Sequence, residues 1–255
     1  MKDKRYYEQE ASLEEYLDWY RKQDSNRYAK PCYTVDMIAL AYQEEQIFCP
    51  LIQRKSHPFR GSYALPSGFV TPTETGKQAA IREVREEIGL TLSEEMLYTL
   101  DTYDNPHRDP RGWVISKTHI VYLPRSAHWE IEAGDDAVIV RWAQLDIRRK
   151  QIRLENKLLA SDDLAFDHYQ MLQDAMERIR GLTAWNPRYL RLLGDTFTLS
   201  EATTLTNLFL EKSIQVTNFK RDYSYCLEAT NYQKTNKIGR PSTLYRYVER
   251  KPFFN

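Results

Sequence analysis

Residues 68 to 90, GFVTPTETGKQAAIREVREEIGL, hold more ordered chemistry than any other stretch of this 255-residue chain. Thr75 followed three residues later by Gln78 is a capping-box start, and Gly89 after Ile88 is a helix stop, so the stretch predicts one short helix. At about 100° per residue, Ala80, Ile81, Val84 and Ile88 fall on one apolar arc, and Glu83 and Glu87 on another roughly 120° away. Glu83, Glu86 and Glu87 stand at i, i+3 and i+4, where their carboxylates repel unless something positive lies between them. Oxygen donors of this kind suit the hard cations Mg2+ or Mn2+, which commonly bridge a protein to substrate phosphates. A solvated acidic face balanced by Arg82 and Arg85 accounts for the charges. It does not account for the joint register of Gly68, Glu74, Arg82, Glu83, Glu86, Glu87 and Gly89.

The rest of the chain is organised around this helix. Ser12 and Glu15 predict a capped N-terminal helix with Leu13, Tyr16, Leu17 and Tyr20 on one face, expected to pack on the following domain or on a second subunit. Residues 33 to 42 and 47 to 54 read as strands joined by the turn QEEQ, and 96 to 103, 113 to 123 and 137 to 142 are again β-rich. Strands before and after a central helix predict an α/β sandwich. Residues 164 to 180 predict a helix ending at Gly181, with Phe166, Met171 and Ile179 among its apolar positions. The segment TAWNPRY, with Pro187, then reads as the connection to a second domain of about 70 residues. Within it, Thr198 and Glu201 form a capping box. A second helix is expected from about Gln215 to Leu227, with Phe219, Tyr223 and Leu227 as its core stripe and Thr217, Asn218, Lys220, Arg221 and Ser224 opposite. The basic hairpin NYQKTNKIGRPSTLYRYVER completes a winged helix-turn-helix. The expected division is 1–32 for an N-terminal helix and arm, 33–182 for the α/β domain with its following helix, and 187–255 for the winged helix.

Charge separates the two ends. The chain is neutral overall, but residues 215–255 carry eight Lys or Arg against three Asp or Glu, a net +5 that leaves −5 for the remainder. Such a split points to a polyanion at the C-terminal end. Lys220, Arg221, Lys237, Arg240 and Arg246 are expected on DNA phosphates, with Thr217 or Asn218 reaching base edges. The alternative for this domain is a basic module that serves dimerisation only. Arg108 and Arg111 offer forked donors to phosphate; Arg54 at a strand end is either a further phosphate contact or a surface salt bridge, and Trp113 either stacks on a ligand or is strand core, the core reading being preferred. Cys32, Cys49 and Cys226 show no metal-site or disulfide spacing. No signal-peptide pattern opens the chain, so a cytoplasmic location is expected.

Taken together, Gly68, Glu74, Arg82, Glu83, Glu86, Glu87 and Gly89 form a complete Nudix box, and residues of roughly 33 to 160 resemble the Nudix fold, a mixed sheet between helices. The resemblance implies that Glu83 and Glu87 ligate a divalent metal, with Glu86 a further ligand or support and Arg82 orienting the carboxylates. It adds the carbonyl before the first box glycine, here that of Ser67, and a base beyond the box, for which the loop EIEAGDDA offers Glu132, Asp135 and Asp136. The segment NPHRDPRGWVIS resembles the corresponding loop of ADP-ribose pyrophosphatases, whereas the zinc cluster of NADH pyrophosphatases is absent. The segments TVDM, HPFRGSYALPSGFV, RDPRGW, AGDDA, LAFDH, TNFKR and GRPSTLYR extend the likeness over the whole chain, which resembles the NrtR family of Nudix-related regulators of NAD metabolism. That resemblance implies a homodimer that senses ADP-ribose or a related NAD metabolite and binds an operator through its winged helices. Many such regulators have a degraded box and do not cleave their ligand. This sequence keeps every box position, which implies Mg2+-dependent hydrolysis of ADP-ribose to AMP and ribose 5-phosphate as well. The alternative is a Nudix pyrophosphatase with an accessory C-terminal domain.

Overall fold

The computed structural model describes residues 4–22, 29–125, 139–235 and 241–249. Helices α1 (Lys4–Gln9) and α2 (Leu13–Lys22) form a unit by themselves. The Glu15 N–H donates to Ser12 Oγ at 3.2 Å, as the capping pattern predicts, and Tyr7 stacks on Trp19 with ring centroids 4.8 Å apart.

From Cys32 the chain builds a sheet from β1 (Cys32–Gln43), β2 (Gln46–Gln53), β3 (Tyr63–Ala64), β4 (Ser67–Phe69), β5 (Tyr98–Tyr103), β6 (Val114–Tyr122), β7 (Ile139–Asp146), β8 (Gln151–Leu154) and β9 (Lys157–Leu158). The expected hairpin joins β1 and β2; Glu44 and Glu45 adopt φ of 49° and 57°, the left-handed pair that lets a two-residue turn follow the strand twist. Spatial order is β5-β6-β1-β2-β7-β8-β9, with β3 on β2 and β4 on β1. The β1–β6 pair is parallel and the others antiparallel, so the sheet is mixed.

Alternation along β1 sends Val35, Met37 and Ala39 to one face and Ile38 and Leu40 to the other. The first face packs on α3 (Gly76–Ile88) through Ala79, Ala80, Val84 and Ile88. The Thr75–Gln78 capping box opens this helix and Gly89, at φ 71°, closes it. The second face packs on α4 (His168–Leu182) through Met171, Leu172, Met176 and Ile179. Burying each of the Val, Ile, Leu and Met side chains among these contributes roughly 1.5–3 kcal/mol, so both helices are held by the sheet rather than by their own propensity.

The C-terminal domain holds α5 (Leu199–Asn207), α6 (Val216–Asp222), β10 (Leu227–Lys234) and β11 (Ser242–Tyr247). Its core is continuous with that of the sheet: Leu190, Phe197, Leu205 and Phe219 belong to the same buried cluster as Ile38 and Leu100. Phe197 and Tyr245 exchange two backbone bonds of 2.9 and 2.8 Å, and the Thr198–Glu201 capping box opens α5.

Three sequence expectations are corrected. Helix α4 starts at His168, not 164, because Leu164 is held extended in a bridge to Tyr63 and Phe166 adopts φ 54°, which breaks a right-handed helix, so Phe166 lies outside it. The helix also runs one residue past Gly181. Helix α6 ends at Asp222, where Ser224 Oγ donates to the Arg221 carbonyl, so Tyr223 is core but Leu227 already opens β10. Trp113 is 43 % exposed, since Val114 takes the inward position at the start of β6.

One side chain in β6 carries a stability cost. His119 is buried on the α3 side of the sheet, and neither ring nitrogen has a hydrogen-bond partner among the described residues. Burial, with Lys117 and Lys77 nearby, pushes its pKa down to about 4. An imidazole that stays neutral when folded but binds a proton when unfolded loses stability as pH falls below about 6.5, by about 2 kcal/mol between pH 7.5 and pH 5. His119→Leu is expected to abolish that part of the pH dependence. Urea midpoints of both proteins at the two pH values measure it, and a difference between them that does not change with pH rules it out.

Candidate functional site

Local packing fixes the box carboxylates before any ligand is considered. Gly68 of β4 lies directly beneath Glu83: a Cβ at position 68 would come within 1.8 Å of Glu83 Oε1, so a larger residue there would push the Glu83 carboxylate out of its present position. Arg82 ties the acidic side of α3 together. Its Nε and Nη2 donate to Glu74 at 3.1 and 2.8 Å, its Nη1 to Glu83 at 2.6 Å and Glu86 at 3.2 Å, and its Nη2 to the Phe69 carbonyl. Hydrogen bonds from Arg82 hold the Glu74 carboxyl down at about 2. Glu87 points into the protein and accepts the Ser67 N–H at 2.8 Å. Burial pushes its pKa up to about 8; the Ser67 N–H opposes this, and Glu83 adds to it. Burial also raises Glu83, against the pull of Arg82. Glu86 is more than half exposed at the rim.

Among the described residues no three His, Cys, Asp or Glu are arranged as a closed metal cage. The donors present are oxygens on one open side, Glu83 and Glu87 beside Ser67 and Gly68, and the buried Glu87 carboxyl feels Arg54 but is raised by burial more than that charge lowers it. That donor set fits a hard divalent cation that keeps part of its coordination for water and phosphate. The candidate bases Glu132, Asp135 and Asp136 lie outside the described residues.

Next to Glu87 is a cavity of about 110 Å3 lined by Asp36, Arg54, Ser67, Arg108, Arg111 and Phe166. The structure brings all three arginines predicted to meet phosphate to this cavity but gives them different freedom. Arg108 is 8 % exposed, and its fork is already taken by Asp167 at 2.9 and 2.6 Å, with Asp36 at 3.5 Å. It is a structural cation first, and the expectation of a guanidinium open to phosphate is corrected. Arg111 is nearly half exposed, paired with Asp109 and placed over the rings of Phe69 and Phe166 at 5.2 and 5.5 Å. Arg54 donates to the Pro58 carbonyl and sits 5.0 Å over Phe166. Asp36, Asp167 and Phe166 escaped the reading of residue types because their partners come from β1 and the turn before α4, far apart in sequence. Their signal was the pair of segments TVDM and LAFDH. Buried Asp36 is disfavoured as an anion by desolvation, but His168, Ser116 and Arg108 outweigh this and hold its pKa below the usual carboxylate range.

On the C-terminal domain, Thr217, Asn218, Lys220 and Arg221 all project from the exposed side of α6, while Phe219 is buried and stacks on Tyr223. Arg221 forks onto Asp222 at 2.7 and 3.2 Å, a surface pair that gives way to phosphate at little cost. Arg246 lies elsewhere, along an open cavity of about 740 Å3 with Tyr98, Arg191 and Tyr247. Lys237 and Arg240 are outside the described residues.

The NUDIX domain family matches residues 32–160, and the NrtR DNA-binding winged helix domain matches residues 189–247. The ADPR responsive transcriptional repressor NtrR of Acinetobacter baylyi is 28 % identical over 250 residues, covering 96 % of this chain and 92 % of that protein. The ADP-ribose pyrophosphatase of Methanocaldococcus jannaschii is 38 % identical over 149 residues, 58 % of this chain and 75 % of that one. The crystal structure of a MutT/nudix family protein from Enterococcus faecalis superposes with a TM-score of 0.83 at 35 % identity, covering 97 % of this chain and 99 % of that one. With the box assembled around Gly68 and a winged helix packed behind the sheet, the chain belongs to the Nudix family, as a member that carries an NrtR winged helix domain.

Proposed function

We propose that this chain is an ADP-ribose-responsive transcriptional regulator of NAD metabolism that also hydrolyses ADP-ribose to AMP and ribose 5-phosphate. The observation that carries the proposal is the coexistence of an undegraded box with a matched winged helix domain on one chain. Glu83, Glu87 and the Ser67 carbonyl, with Glu86 at the rim, would hold Mg2+ or Mn2+. Such a cation supplies a Lewis acid and lowers the pKa of a bound water. Arg82 keeps the Glu83 carboxylate against Gly68, and Arg111 and Arg54 meet the pyrophosphate. Arg111 exchanges Asp109 for substrate phosphate, a swap of one charge-assisted pair for another. Glu132, Asp135 or Asp136 would take the proton from water. In the C-terminal domain Lys220, Arg221, Lys237 and Arg240 position α6 on the DNA backbone, and Thr217 and Asn218 read bases. A homodimer would present two such helices to paired half-sites.

The relatives support the two halves separately, one being a repressor responsive to ADPR and another an ADP-ribose pyrophosphatase. The test is a gel shift with fragments of genomic DNA run beside an assay of AMP release from ADP-ribose. Both signals are expected from the full-length protein. DNA affinity should fall with salt, the slope of log K against log salt being about −0.9 per phosphate neutralised. Arg221→Ala should make that slope shallower by about one unit while AMP release is unchanged. AMP release without a sequence-dependent shift would leave an enzyme with an accessory domain.

A further inference from the structure

The segment LAFDH, residues 164–168, contributes nothing to the box, yet its last residue reaches the turn that leads into the strand presenting the box glycine. His168 is 1 % exposed and both ring nitrogens are committed: Nδ1 accepts the Leu65 N–H at 2.9 Å, and Nε2 lies 3.1 Å from Asp36 Oδ1. Accepting a backbone N–H leaves Nδ1 without hydrogen, so Nε2 carries it and donates to Asp36. Asp36 is fixed in turn by Ser116 and Arg108, and Arg108 by Asp167.

Leu65 lies between β3 and β4, two residues before Ser67. The Pro66 carbonyl accepts the Met37 N–H at 2.9 Å, the Ser67 N–H binds Glu87 at 2.8 Å, and Ser67 and Gly68 pair with Asp36 and Val35 in the β4–β1 ladder, Gly68 lying beneath Glu83. Every residue from 65 to 68 is therefore pinned, and the pin at 65 is a side chain from 103 residues later in the chain. We infer that His168 is a positioning residue for the cation-holding end of the box: through the Leu65 N–H it sets where Ser67 and Gly68 meet Glu87 and Glu83. The inference rests on the proposed reading of the box as a divalent-cation site.

Two substitutions separate the ring's two bonds. Asparagine places its oxygen near the position of Nδ1, so His168→Asn keeps an acceptor for Leu65 and gives up Asp36. Glutamine places its amide nitrogen near Nε2, so His168→Gln keeps the donor to Asp36 and gives up Leu65. Met176→Ala removes a buried side chain from the same helix without touching the network and reports what destabilisation alone does. Mn2+ binding to each full-length protein, without nucleotide, is read from the electron paramagnetic resonance of free Mn2+, alongside thermal unfolding.

His168→Gln is expected to weaken Mn2+ binding by about 10-fold or more, the usual cost of removing an outer support of a metal site. His168→Asn should stay within about threefold of wild type, and Met176→Ala should lower Tm with Mn2+ affinity kept. Wild-type affinity in His168→Gln overturns the inference, as does an affinity for His168→Asn no better than that of His168→Gln. Loss of Mn2+ affinity in Met176→Ala in proportion to its Tm would make the effect merely structural. If the wild-type protein binds no Mn2+, the cation reading of the box falls, and the inference with it. Should His168→Gln not fold, His168→Ala, which gives up both bonds, takes its place beside His168→Asn: a loss of about 10-fold in His168→Ala with His168→Asn near wild type supports the inference, and equal affinities in the two overturn it.

Discussion

Glu83→Gln is expected to lower the metal-dependent hydrolysis of ADP-ribose by more than about 100-fold, because losing a direct ligand should exceed the 10–100-fold cost of losing an outer support. The substitution keeps the shape of a side chain that Gly68 and Arg82 confine on two sides, so ADP-ribose affinity should stay within about threefold. It removes one of the two charges that bring a cation to Glu87. Glu87 adds a pH signature: its carboxyl, pushed up to about 8 chiefly by burial, must lose its proton before it can ligate. The half-saturating Mg2+ concentration in the wild type should therefore rise as pH falls below 8, approaching tenfold per unit. The raised pKa also makes the metal-free protein less stable as pH rises from the unfolded carboxyl range through 8, and Mg2+ should reverse that loss. Initial rates of AMP formation against Mg2+ at several pH values measure these effects. Full turnover by Glu83→Gln at saturating Mg2+ would remove the box helix from the chemistry, and a wild-type protein that binds ADP-ribose without cleaving it would be a sensor only.

What the sequence revealed about this site follows the range of the forces involved. The cap at Thr75, the stop at Gly89 and the arcs of Val84 and Glu83 depend on neighbours within a few residues, and they appear in the structure as read. The start of α4 does not, because Leu164 to Asp167 satisfy a helical pattern locally while Tyr63, about a hundred residues earlier, draws Leu164 into an extended bridge and Phe166 turns to φ 54°. Arg108 shows the same limit for function. A guanidinium is chemically suited to phosphate, but Asp36 and Asp167 approach Arg108 from β1 and the turn before α4, and only the fold brings them there. Net charge in the last 41 residues was legible, whereas the length of α6 was not, since the turn at Tyr223 is set by burial of its ring against Phe219.

ADP-ribose is expected to weaken operator binding by about 5- to 150-fold, the range of coupling typical of allosteric pairs, and operator DNA should weaken ADP-ribose binding by the same factor. The fold offers a contiguous connection. The N-terminal end of α4 is anchored at the cavity beside Glu87 by Asp167 and His168, while Ile179 near its other end lies in the core that α5 and α6 share. Beyond that end, Tyr225 Oη donates to the Ala184 carbonyl at 2.9 Å, and Arg180 pairs with Glu211 at 2.5 Å. A pyrophosphate that draws on Arg111 beside Arg108 changes the charge that α4 is moored to, so a shift of that helix would reach α6 without passing through a flexible linker. Contiguity alone does not establish coupling, and a ligand moves the equilibrium only by its differential affinity for the two arrangements. The intact box adds a condition on time. On the proposed hydrolysis the wild-type protein with Mg2+ would destroy its own effector, so release from DNA should be transient, whereas Glu83→Gln should remain released for as long as ADP-ribose is present. Titrating labelled operator with ADP-ribose against Glu83→Gln measures the coupling without hydrolysis, and a time course with the wild type measures its decay. Operator affinity unchanged at saturating ADP-ribose in Glu83→Gln would leave hydrolysis and DNA binding as two uncoupled activities, and sustained release by a wild type that is turning over its ligand would separate the signal from the chemistry of the box.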